Sequence, residues 1–131
     1  MKKRFLAILG GLISGWLIIG IGETITHSIY QAPEGMDYND PQALADFISS
    51  LPSSAFVSLL IVWILSAFIA GFVCAKISSD NWQRNAIICG GFLLIGHLIN
   101  AFTIPQPVWL SSISVLIVVP LVYIGARINN Q

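Results

Sequence analysis

At 131 residues the chain has room for one domain, but 56% of it is hydrophobic, only 9% is charged and its mean hydropathy is +0.83. That balance excludes a soluble globular domain, which needs far more charge on its surface. A formal net charge of zero excludes the basic track that a nucleic-acid partner requires.

The apolar residues fall in continuous blocks, several of them close to the roughly 20 residues a helix needs to cross a bilayer. Continuous runs rather than alternation exclude a transmembrane barrel, and lipid leaves the helix as the other way to satisfy the backbone. The expected fold is all-α: one integral membrane domain over residues 1–131, a bundle of four transmembrane helices with a short outer amphipathic helix.

The first span is expected over about 5–30, after the basic start Met1-Lys2-Lys3-Arg4. Its apolar stretch is longer than a signal-peptide core and no small-residue cleavage site follows, so it reads as a retained helix. Residues 31–52 form the outer loop and hold Glu34, Asp37, Asp40 and Asp46. Within that loop Asp40 is placed to cap a helix that has Pro41 at its first position. Leu44, Phe47, Ile48 and Leu51 then repeat at the spacing of a one-sided apolar face, which predicts a surface helix or a cap on the bundle.

The remaining spans are expected over about 53–77, 86–104 and 108–126. A polar turn from Ser78 to Asn85 joins the first two of these, and Pro105-Gln106-Pro107 joins the last two. Pro120 is expected to kink the final helix.

With four spans, all six basic residues (Lys2, Lys3, Arg4, Lys76, Arg84, Arg127) fall on one side. The positive-inside rule then predicts a multi-pass protein with both termini cytoplasmic. Trp82, Trp109, Tyr30 and Tyr123 fall near helix ends, where interfacial aromatics belong.

Ionisable groups inside a membrane are costly and each one calls for a hypothesis. Glu23 and His27 lie one turn apart on the first helix; His97 and Asn100 lie on the third. At 1.5 Å per residue, Glu23 and His97 sit at a similar depth, roughly 10 Å inside the outer boundary. Helical phase puts Gly20, Glu23 and His27 on one stripe, and Leu93, Gly96, His97 and Asn100 on one face. The two polar faces are expected to oppose each other. The functional reading of Glu23, His27, His97 and Asn100 is a proton or cation site; the alternative is that they bond to one another and lock the packing.

No catalytic residue, metal or cofactor is assigned. The chain lacks a metal-protease or EF-hand motif, although two histidines and a glutamate are chemically competent zinc ligands. Loop residues Glu34, Asp37, Asn39 and Asp40 lack EF-hand spacing and read as solvated. Cys74 and Cys89 read as small, reduced packing residues.

Helix contact is expected at the small residues Gly11, Gly15, Gly22, Ala67, Gly71 and Gly96. Gly11-x-x-x-Gly15 and Ala67-x-x-x-Gly71 serve either internal packing or a homodimer, so the expected partners are the lipid bilayer and a second copy or larger membrane complex.

Several segments carry a resemblance: Ala32-Pro33-Glu34-Gly35-Met36-Asp37, Ala70-Gly71-Phe72-Val73-Cys74-Ala75-Lys76, Gly90-Gly91-Phe92-Leu93-Leu94-Ile95-Gly96 and Pro105-Gln106-Pro107-Val108-Trp109. Together they span most of the chain, which resembles a group of small bacterial four-helix membrane proteins with a P-E-G-x-D outer loop and a P-x-P-x-W turn. The resemblance implies the fold and a location in the bacterial plasma, or inner, membrane, and supplies no reaction.

The expected function is that of a small non-enzymatic membrane protein, an accessory or transport-related module. The alternatives are a membrane-embedded enzyme using His97 or Glu23 in acid-base chemistry on a lipid-like substrate, and a structural subunit of a larger complex.

Overall fold

The protein is described by a computed structural model over residues 2–78 and 80–129. Five helices follow in order: α1 Lys2–Ile29, α2 Pro41–Ser50, α3 Ser53–Ile77, α4 Trp82–Thr103 and α5 Val108–Asn129. All but α2 are long and apolar enough to cross a membrane, and no strand occurs among the described residues. The molecule is a multi-pass membrane bundle whose large side chains face outward in number, from Phe5 and Trp16 to Phe102 and Leu116.

Local chemistry sets the breaks between helices. Pro52 and Pro105 disfavour helical geometry in the residue before them. Leu51 and Ile104 are accordingly extended, at φ −73°, ψ 141° and φ −108°, ψ 128°, and they end α2 and α4. Gly35 takes a left-handed φ of 79°, and the Met36 N–H donates to the Pro33 carbonyl at 3.1 Å, closing a tight turn.

Three ends differ from the expected spans, and the first is the start of α1 at Lys2 instead of Phe5. Helix α4 starts at Trp82 instead of Ala86, after Asn81 in a left-handed conformation, and α5 runs through Pro120 to Asn129. Hydropathy locates the hydrocarbon boundary, whereas the backbone keeps its hydrogen bonds beyond it. In the α3–α4 connection, Asn85 Nδ2 donates to Ser78 Oγ at 2.9 Å; Ser79 lies outside the described residues.

The core is graded in size along the bundle axis. At the end carrying Lys2 to Arg4, Lys76, Arg84 and Arg127, here the basic end, the buried cluster is made mostly of small residues: Ala7, Ala67, Ala70, Cys74, Ala75, Ala86, Cys89 and Ala126. Toward the opposite, acidic end the buried side chains are Phe56, Trp63 and Leu110.

Small residues let helices touch where lipid supplies no hydrophobic drive. A Cβ on Gly11 would lie 2.7 Å from the Ala70 carbonyl oxygen, and one on Gly15 would lie 3.2 Å from Ser66 Oγ. Ser66 Oγ itself donates to the Gly15 carbonyl at 2.8 Å, a hydrogen bond between α1 and α3. Gly22 meets Val62, and Gly71 faces the Val122 backbone, while Gly125, absent from the expected contact residues, faces the Phe68 backbone. These contacts fasten α3 between α1 and α5.

Gly96 is the exception among the expected packing residues: it is exposed, with nothing within 4 Å of an added Cβ. Its helix meets α3 and α5 through Leu93, His97, Cys89 and Gly90, which leaves Gly96 outside the contact face.

Gly71→Ala should therefore lower stability by about 1–3 kcal/mol through overpacking against backbone that has nowhere to move. Gly96→Ala should leave it unchanged. Thermal unfolding of the two variants in the same mild detergent checks this, and equal tolerance of both would contradict the α3–α5 contact.

Candidate functional site

A cavity of about 210 Å³ opens at the acidic end. Its floor is α3, through Ala55, Phe56, Leu59 and Trp63; α1 contributes Glu23, Thr26, His27 and Tyr30; Asn100 and Ile104 come from α4, and Gln106 from the Pro105–Pro107 turn. Helix α2 roofs it with Leu44, Phe47 and Ile48, joined by Leu51, the same face its spacing predicts.

The roof is built locally. Asp37 Oδ1 accepts from the Asn39 N–H at 2.9 Å, and Asp40 Oδ1 caps α2 by accepting from the Gln42 N–H at 3.0 Å, with Pro41 following. Two of the loop carboxylates thus shape the chain that carries the roof. Ile48 and Leu51 pack against the Phe56–Trp63–Leu110 cluster, so side chains alone hold α2 over the bundle.

Polar groups on the wall divide into two kinds. Thr26 Oγ1 donates to the Gly22 carbonyl at 2.9 Å, Tyr30 Oη shares a 2.8 Å hydrogen bond with Ser54 Oγ, and Gln106 Nε2 donates to Ser111 Oγ at 2.7 Å. Glu23, His27 and Asn100 make no side-chain hydrogen bond or ion pair among the described residues. Glu23 and Asn100 are partly buried and His27 is exposed. Elsewhere Ser14, Thr24 and Thr103 bond to carbonyls of their own helices, so their hydroxyls are internally satisfied.

The two polar faces thus border one space, with Glu23 and His27 on α1 and Asn100 on α4. His97 does not join them: it is 7% exposed and set edge-on to Trp63, ring centroids 5.2 Å apart at 65°. Trp63 lines the cavity together with Glu23, and His97 does not. Among the described residues no three of His, Cys, Asp and Glu come together as a metal site would require.

The aromatic character of the site is what sequence reasoning missed. Tyr30, Tyr38, Phe47, Phe56 and Trp63 all line the cavity. One signal was available: Trp63 lies well inside an apolar span, away from the interface where tryptophan is usual. Cys74 and Cys89 are fully buried and free, beside Gly11 at the basic end, far from the cavity along the bundle.

Comparisons with protein families, with curated proteins and with solved structures each find no match. The chemistry of the cavity itself carries the functional reading.

Asp40→Ala removes the cap of α2 and should cost that helix about 1 kcal/mol. Amide exchange in residues 41–50 should quicken while α3 and α4 keep their protection; unchanged exchange over α2 would mean that the cap does not hold the roof.

Proposed function

We propose that this is a non-enzymatic binding module of the bacterial plasma membrane, with both termini cytoplasmic, that takes a small amphipathic molecule into the cavity beneath α2. Such a module fits an accessory or transport-related role. The observation that carries the reading is the cavity's make-up: apolar walls, an amphipathic helix as roof and three side chains with unused hydrogen-bonding capacity. Ligand sites commonly combine apolar walls with a few polar groups that fix orientation.

Size supports a compact ligand. An engineered apolar cavity of about 150 Å³ accommodates benzene, so one of about 210 Å³ has room for a ring and a few further atoms. The orientation rests on the complete bias of basic residues to one end, and the bacterial setting rests on the resemblance to small four-helix membrane proteins. Acid-base catalysis finds less support, because the buried histidine packs on Trp63 instead of facing the cavity with Glu23.

The test is thermal stability in lipid nanodiscs against a panel of small aromatic molecules that are cationic, neutral or anionic. Ligand at 100 times its dissociation constant stabilises the folded state by about 2.7 kcal/mol. At least one member should raise the melting temperature of wild type, and the effect should shrink in Leu44→Trp, which fills the cavity from its roof. A panel that acts alike on both proteins would refute the reading.

A further inference from the structure

We propose that the cavity selects a lipophilic organic cation, an ammonium group carried on an apolar body. The inference rests on the reading of the cavity as a binding site and names the chemistry of what it holds.

The first observation is charge. Glu23 is the one acidic residue in the four long helices, and it lies on the cavity wall, partly buried. A carboxylate within a membrane normally has a partner, because lipid cannot solvate it. All six Lys and Arg residues are at the basic end of the molecule. At the acidic end Glu23 is joined by Glu34, Asp37, Asp40 and Asp46, with no Lys or Arg to oppose them. The protein therefore offers Glu23 no permanent cation, and the surrounding acidic residues raise the local concentration of cations approaching from solvent.

The second observation is the wall itself. Five aromatic side chains, Tyr30, Tyr38, Phe47, Phe56 and Trp63, surround the same space. Ring faces attract ammonium groups, and most strongly the quaternary ones, which carry no N–H and shed water readily. A carboxylate on the same wall as aromatic rings and aliphatic side chains complements a charge attached to an apolar body. It rejects an anion through Glu23, and it gains nothing from Glu23 when the ligand is neutral. Asn100 and His27 remain as hydrogen-bonding groups for a polar substituent.

Three probes of matched shape test this: benzyltrimethylammonium; 2,2-dimethylpropylbenzene, in which carbon replaces the charged nitrogen; and phenylmethanesulfonate. Binding is read in nanodiscs as the stabilisation of wild type minus that of Leu44→Trp, so that partition into the bilayer cancels. The cation should bind at least about tenfold more tightly than its neutral isostere, on the scale of a desolvated cation–π contact joined to an ion pair, and the sulfonate should not bind.

Glu23→Gln should cut the preference for the cation several-fold, leaving only the part due to the aromatic rings, whereas Glu23→Asp should keep most of it. Tyr38→Ala, at an exposed loop position where folding is not at stake, should weaken the cation a few-fold more than the isostere, as expected for loss of one ring. Equal binding of cation and isostere to wild type, or a preference undiminished in Glu23→Gln, overturns the inference and leaves the cavity a binding site of another selectivity. Failure of all three probes overturns both.

Discussion

Close backbone contact at small residues is the constraint on which the rest of this molecule depends. In lipid the helices gain little from hiding apolar surface, so they are held where backbones can touch. That happens between Gly11, Gly15 and Ala70 for α1 and α3, and between Gly71, Val122, Phe68 and Gly125 for α3 and α5. Nearly all of these positions lie toward the basic end. At the acidic end the buried apolar cluster is made of larger side chains, Phe56, Trp63 and Leu110. The cavity lies at the end where the large side chains are, with Phe56 and Trp63 in its wall, and α2 covers it through its side chains.

The gradient also explains why α2 sits where it does. Its apolar face needs an apolar surface, and the acidic end of the bundle supplies one in the Phe56–Trp63–Leu110 cluster. The connections are short and chemically determined, with the Gly35 turn and Asp40 cap before α2 and the Leu51–Pro52 break after it. A helix tied at both ends but resting on side chains alone is suited to cover a site that must admit a ligand. The proposed site thus lies at the end of the bundle that α2 covers.

Much of this was legible in the sequence, because the signals are strong and local. Continuous apolar blocks define the four long helices, the Asp40-Pro41 pair and the following apolar face define α2, and small residues mark most of the helix contacts. What was not legible depends on rotation and depth between separate helices. Helical phase put His97 on the same face as Asn100, yet a few tens of degrees separate the wall of a cavity from the packed interface beside it, where Trp63 meets His97. The same uncertainty in phase placed Gly96 in a contact it does not make. Gly125 escaped notice because its partner is backbone on α3, which no spacing rule within α5 reveals.

The most direct test of the account is whether α2 covers the cavity or lies apart from the bundle in the interface. Nuclear Overhauser contacts between side-chain methyls and aromatic rings, measured on the protein in nanodiscs, decide this. The account predicts contacts from the methyls of Ile48 and Leu51 to at least one of the rings of Phe56 and Trp63. Contacts from those methyls to lipid chains alone would contradict it, because the cavity would then have no roof and the grouping of Glu23, Asn100 and the aromatic wall would lose its enclosure.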